Sequence, residues 1–210
     1  MTKSPTGRRS PAVMALLAAT CLTPVGWAQA APGDPRGVEF QVNTYTTLHQ
    51  AEPAVAMDRD GDSVLVWQSN SQDGFLYGIY AQRYDALGVA RGGEFRVNVT
   101  TAGVQEFPDV AMDDDGNFVV VWESYQGGAS YDIYARRYDA AGTAQGGEFR
   151  VNATTAGDQR YPAVAMDADG DFVVAWQGSD GNADGVHAQR YDAAGVAQGG
   201  EFQVNTYTTD

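Results

Sequence analysis

Residues 53–69 read PAVAMDRDGDSVLVWQS, and the stretch returns at 108–124 as PDVAMDDDGNFVVVWES and at 162–178 as PAVAMDADGDFVVAWQG. Each copy holds two runs of apolar and β-branched residues joined by a tight D-x-D-G-[DN] link. Runs of this length and composition, bounded by Asp, Asn and Gly, read as strands. The link reads as a hairpin turn, because Gly adopts positive φ freely and Asp bonds to its own backbone. No segment shows a sustained helical period, so the class is all-β.

Outward from this pair, a third run ends in Arg-Tyr-Asp (residues 77–85, 131–139 and 184–192), and a fourth, E-F-x-V-N, begins at Glu39, Glu94, Glu148 and Glu201. Those starts lie 55, 54 and 53 residues apart. They divide the chain into a leader (1–30), a short linker (31–38), repeats at 39–93, 94–147 and 148–200, and a partial fourth repeat at 201–210. Four antiparallel strands in a unit of this length are the mark of a propeller blade. The expected fold is a β-propeller-like array of three four-stranded blades plus one surplus strand, with a linear β-repeat array as the alternative. The surplus arises because E-F-x-V-N occurs four times and the other runs three. Its two end copies, from Glu39 to Thr47 and from Glu201 to Thr209, are identical. Three blades are fewer than the roughly four to eight that close a ring. Self-association through the two end strands is therefore expected, or membership of a longer protein.

The first thirty residues carry Lys3, Arg8 and Arg9, then an apolar run ending in Ala28-Gln29-Ala30. This is the pattern of a secretory signal peptide cleaved near Ala30, and the expected location is secreted, periplasmic or at the cell surface. The apolar run is broken by Pro24 and Gly26 and is too short to span a bilayer. The single cysteine, Cys21, lies in this leader, which leaves neither disulfide nor thiol chemistry beyond it. The leader also holds three of the 13 basic residues and none of the 27 acidic ones, so 10 face 27 afterwards and the net charge is −17. Such a surface repels nucleic acid and anionic membranes.

Several residues are candidates for chemistry. The links hold Asp58, Asp60 and Asp62 in the first repeat, Asp113, Asp115 and Asn117 in the second, and Asp167, Asp169 and Asp171 in the third. Clustered carboxylates suit Ca²⁺. However, the glycine falls one position earlier than in an EF-hand loop, and a hairpin turn accounts for the same residues. Arg83, Arg137 and Arg190 fall by alternation on an otherwise apolar strand face, where a carboxylate or the tryptophan of the same unit is the expected partner. The two histidines, His49 and His187, are not at equivalent repeat positions. No nucleophile elbow, phosphate loop or zinc spacing occurs. Trp67, Trp122 and Trp176 read as packing between sheets. Asn98 and Asn152 match the glycosylation sequon but fall at the start of a loop.

The unit PAVAMDADGDFVVAWQGSDGNADGVHAQRYDAAGVAQGGEFQVN at residues 162–205 resembles the tandem repeats of large secreted or surface-attached bacterial proteins. That resemblance implies an extracellular, adhesin-like role. The expected function is thus a secreted binding or adhesion module, calcium-stabilised if the links hold the ion, without catalysis. Its partner would be an extracellular protein or carbohydrate. A self-assembling structural repeat and an extracellular propeller hydrolase are the alternatives. The hydrolase would need a cluster of non-repeating polar residues in one cleft.

Overall fold

The computed structural model describes residues 39–179 and 183–206; the leader and its cleavage site lie outside them. The chain divides into two compact units, residues 1–40 and 41–210. The second unit holds three sheets. β1 (Gln50–Met57), β2 (Ser63–Asn70), β3 (Tyr77–Tyr84) and β4 (Phe95–Arg96) form the first sheet, in that spatial order. β5 (Gln105–Met112), β6 (Phe118–Ser124), β7 (Asp132–Tyr138) and β8 (Phe149–Arg150) form the second. β9 (Arg160–Met166), β10 (Phe172–Ser179), β11 (Asp184–Tyr191) and β12 (Phe202–Gln203) form the third. Every neighbouring pair is antiparallel. β1 packs against β5, and β5 against β9, so these are the inner strands of three stacked blades.

Alternation along each strand supplies both faces of a blade. Val64, Val66 and Ile79 of the first blade meet Phe118, Val120 and Trp122 of the second. The intervening residues Val119 and Val121, with Ile133, turn the other way and meet Phe172, Val174 and Trp176 of the third. β6 is consequently buried along its whole length. The tryptophans are packing residues, as their repetition suggests: Trp122 is 1% and Trp176 2% exposed.

The links are hairpin turns in which the first aspartate is committed to backbone amides. Asp58 Oδ1 accepts from the N–H groups of Asp60 and Asp62, each at 2.9 Å. Asp113 and Asp167 do the same in their own turns. The last residue of the motif staples this turn to the next one: Asp62 Oδ1 accepts from Ala86 N and Asp171 Oδ1 from Ala193 N, both at 2.9 Å, and Asn117 Oδ1 from Ala140 N at 3.3 Å. An acceptor is required there, which explains why only Asp or Asn occurs. Asp113→Ala removes three bonds (to Asp115 N, Asn117 N and Asn117 Nδ2). It is expected to cost about 1 kcal/mol in urea denaturation, the net worth of hydrogen bonds lost from part-buried donors.

The fourth strand is shorter than its motif, because Asn98 and Asn152 extend the ladder with side chains. Their Oδ1 atoms accept from Ile79 N at 2.8 Å and Ile133 N at 2.7 Å. Both asparagines are buried, which removes them as glycosylation acceptors. The glutamate of each motif clasps the copy before it. Glu94 Oε2 accepts from Thr44 N at 2.6 Å, Glu148 Oε2 from Val99 N at 2.6 Å, and Glu201 Oε2 from Ala153 N at 2.7 Å. Four copies thus make three clasps. The first copy forms no strand over residues 41–47.

The repeated arginines differ from expectation. Arg83 donates to Ala140 O and Ala141 O, and Arg137 to Ala194 O, in the turn of the following blade. They meet neither a carboxylate nor the tryptophan of their own unit. Backbone carbonyls are the acceptors because the next blade presents its turn there.

Candidate functional site

The inner strands share a bulge. Register slips between Ala51 and Ala54 in β1 and between Glu106 and Asp109 in β5, while the β10–β9 pairing slips between Ala175 and Gln177. At each bulge one non-glycine residue is held left-handed: Glu52 at φ 51°, Phe107 at 50° and Tyr161 at 52°. Such backbone costs about 1–3 kcal/mol and persists only when its surroundings enforce it. At the second and third bulges a side chain of the preceding blade does so. Gln68 Oε1 accepts from Phe107 N and Glu123 Oε2 from Tyr161 N, both at 2.9 Å. The bulges line an open mouth of about 300 Å³ that includes Glu52, Phe107, Pro108 and Tyr161. The Phe107 and Tyr161 rings stand edge to face at 5.2 Å, and Tyr161 is 52% exposed.

The residue at this position is glutamine in the first and third repeats (Gln68, Gln177) but glutamate in the second. Glu123 is fully buried, and burial pushes its carboxyl up to about 7 despite the Tyr161 N–H and the Arg160 guanidinium beside it. Arg160 Nη1 lies 3.1 Å from Glu123 Oε1, and its Nε lies 3.3 Å from Asp158 Oδ2. The guanidinium carbon sits 3.9 Å from the centre of the Tyr131 ring, which packs against Tyr125 at 5.1 Å. Burial also raises Glu106, whose charge in turn raises Glu123. Three carboxyl groups and one guanidinium thus gather behind an aromatic mouth. Burial thus favours the protonated form of Glu123 more than in an ordinary glutamate, while its two oxygens face the Arg160 guanidinium and the Tyr161 N–H.

The residues singled out in the sequence lie elsewhere. Asp58, Asp60, Asp62 and their counterparts sit at the opposite end of the inner strands from the bulges. Among the described residues no three His, Cys, Asp or Glu side chains are gathered to hold a metal ion. His187 stacks on Trp176 at 6.2 Å, with its Nδ1 3.9 Å from Glu201 Oε1. The cluster itself could have been found by comparing the copies position by position. Ala51, Glu106 and Arg160 are equivalent, as are Gln68, Glu123 and Gln177. Charges that interrupt a framework repeat are the signal.

No family model matches the chain, and no curated protein does. Solved structures match its fold. The Hadza microbial sialidase Hz136 aligns at TM-score 0.55 and 12% identity, over 74% of this chain and 37% of that one. An endo-arabinase from Bacteroides thetaiotaomicron aligns at TM-score 0.44 and 15% identity, over 77% of this chain and 57% of that one. A thermostable family-43 glycoside hydrolase aligns at 0.47 and 14%, over 79% and 63%. The chain therefore spans less than two thirds of the length of each of these structures.

These likenesses correct the functional expectation. A non-catalytic adhesion module drawn from surface-protein repeats is not what the fold match brings up: the structure that aligns at TM-score 0.55 is named as a sialidase, and at 12% identity it shows the fold alone. Glu106, Glu123, Asp158 and Arg160 form a cluster of non-repeating polar residues, but Glu123 lies beneath the surface and none of the four lines the mouth. No helix among the described residues is long and apolar enough to cross a membrane. What the geometry and the likenesses jointly establish is the fold: three consecutive blades of the β-propeller type.

Proposed function

We propose that this chain is the carbohydrate-acting part of an exported propeller glycoside hydrolase, with Glu123 as its proton donor. The observation that supports this most is a buried carboxyl raised to about 7 directly behind the only inner-strand residue it grips, the exposed Tyr161. Phe107 and Tyr161 offer aromatic faces for a sugar ring at the mouth. Glycoside hydrolysis uses two carboxyl groups, one protonated and one ionised. Glu123 gives its proton to the glycosidic oxygen as the C–O bond breaks. Asp158, ion-paired with Arg160, is the carboxylate that takes a proton from the attacking water. Glu123 has no exposed surface, so substrate contact requires the inner strand that covers it to move. The leader pattern supports export.

A panel of nitrophenyl arabinosides, mannosides and sialosides tests the proposal. Hydrolysis is expected with a rate that falls as pH rises through about 7, where Glu123 loses its proton. Glu123→Gln is expected to lower that rate by about 10²- to 10⁴-fold, the usual contribution of general acid catalysis. No hydrolysis across the panel, or a wild-type rate in E123Q, would contradict it.

A further inference from the structure

We infer that the open face of the third blade docks, head to tail, the open face of the first blade of a second copy of this chain. The faces that mate inside the chain do so twice, so what each end face lacks is known. Val119, Ile133 and Val151 of the second blade are 0%, 0% and 6% exposed; their counterparts Val173, Val186 and Val204 are 36%, 44% and 53% exposed. On the first blade, Val55 is 61% exposed where Val110 is 6%. A cleft of about 230 Å³ lined by Val42, Pro53, Leu65 and Trp67 opens there.

The polar clasps are divided between the same two faces. Arg83 and Arg137 reach the turn of the next blade, whereas Arg190 has no such partner among the described residues. The matching carbonyls are those of Ala86 and Leu87, in the exposed turn of the first blade. Gln68 and Glu123 grip the left-handed N–H of Phe107 and Tyr161. Gln177 has no bulge to grip, and Glu52, left-handed at φ 51°, has no side chain gripping it among the described residues. Both halves of each clasp exist, unmated, on opposite ends of one chain. That commits the occupant to a second copy.

The surplus strand then has a place. Tyr84 Oη donates to Val42 O at 3.4 Å, as Tyr138 does to Val97 O at 3.2 Å and Tyr191 to Val151 O at 3.3 Å. Residues 41–47 therefore already occupy the outer-strand position of a blade preceding the first. A docking third blade must yield its own two-residue β12 to them, and the segments exchanged are identical over nine residues. Two such contacts close a ring of six blades, within the usual range of roughly four to eight.

Sedimentation velocity of the full chain from micromolar to millimolar concentration tests this. A dimer growing with concentration is expected. Val55→Asp and Val186→Asp should each weaken it about tenfold or more, with unchanged circular dichroism showing that the fold is intact. Mixing the two variants should restore association, because the third-blade face of V55D and the first-blade face of V186D are both unaltered. A monomer at every concentration, as expected if these faces serve further blades of another chain, would overturn the proposal. So would a dimer insensitive to both substitutions, or a mixture that stays monomeric.

Discussion

Glu123→Gln is expected to stabilise the protein by about 3 kcal/mol at pH 8 while removing its proposed proton donor. The folded carboxyl is raised from an ordinary 4.5 to about 7, and each pH unit of such a shift corresponds to about 1.4 kcal/mol. Below pH 4.5 both folded and unfolded chains hold the proton, and the group contributes nothing. Between 4.5 and 7 the folded chain retains a proton that the unfolded chain has released, so stability falls as pH rises. Above 7 the full penalty of a buried carboxylate is present, and glutamine avoids it. The gain should therefore be small at pH 5 and large at pH 8 in urea denaturation. Gln68 shows that the substitute fits, since it grips Phe107 N at the same 2.9 Å. A glutamate kept where glutamine would be more stable is the trade expected of a functional residue. Equal stability of the two proteins at pH 8 would contradict the raised carboxyl.

Trp122→Ala is expected to cost about 3–5 kcal/mol, the range for truncating a large buried aromatic. The ring is 1% exposed in the cluster that joins the first and second blades. For a chain of this size the loss corresponds to a melting temperature lower by roughly 10 °C. Trp67 faces the open side of the first blade, outside both interblade clusters, so Trp67→Ala should cost clearly less. Thermal melts of the two variants provide the check. Equal losses would mean that the stacking of blades is not what the tryptophans support.

The strands were legible because each carries the local chemistry that makes it. The Val-rich runs, the D-x-D-G-[DN] turns and the E-F-x-V-N motif repeat closely enough for the blade to be read directly. The turn residues illustrate the limit. Asp58, Asp113 and Asp167 fit a cation but fit a hairpin turn better, and only geometry shows one oxygen of each, Oδ1, accepting from two backbone amides. The arginines could be assigned to a face but not to a partner, because that partner is a carbonyl 57 or 58 residues away. The candidate site was the least legible. Glu106, Glu123 and Arg160 belong to three different strands. Glu106 and Glu123 are cross-strand partners in the second blade, Arg160 reaches them from the third, and a bulge at non-glycine residues such as Phe107 and Tyr161 leaves no mark in composition. Repetition reveals the scaffold, and the site lies where repetition is broken.

Titration of the Glu123 side-chain carboxyl by ¹³C NMR, assigned by its absence in E123Q, bears most directly on the proposed chemistry. A midpoint near 7 is the expected result. A midpoint near the ordinary 4.5 would mean that Glu123 is an ionised partner of Arg160 and nothing more.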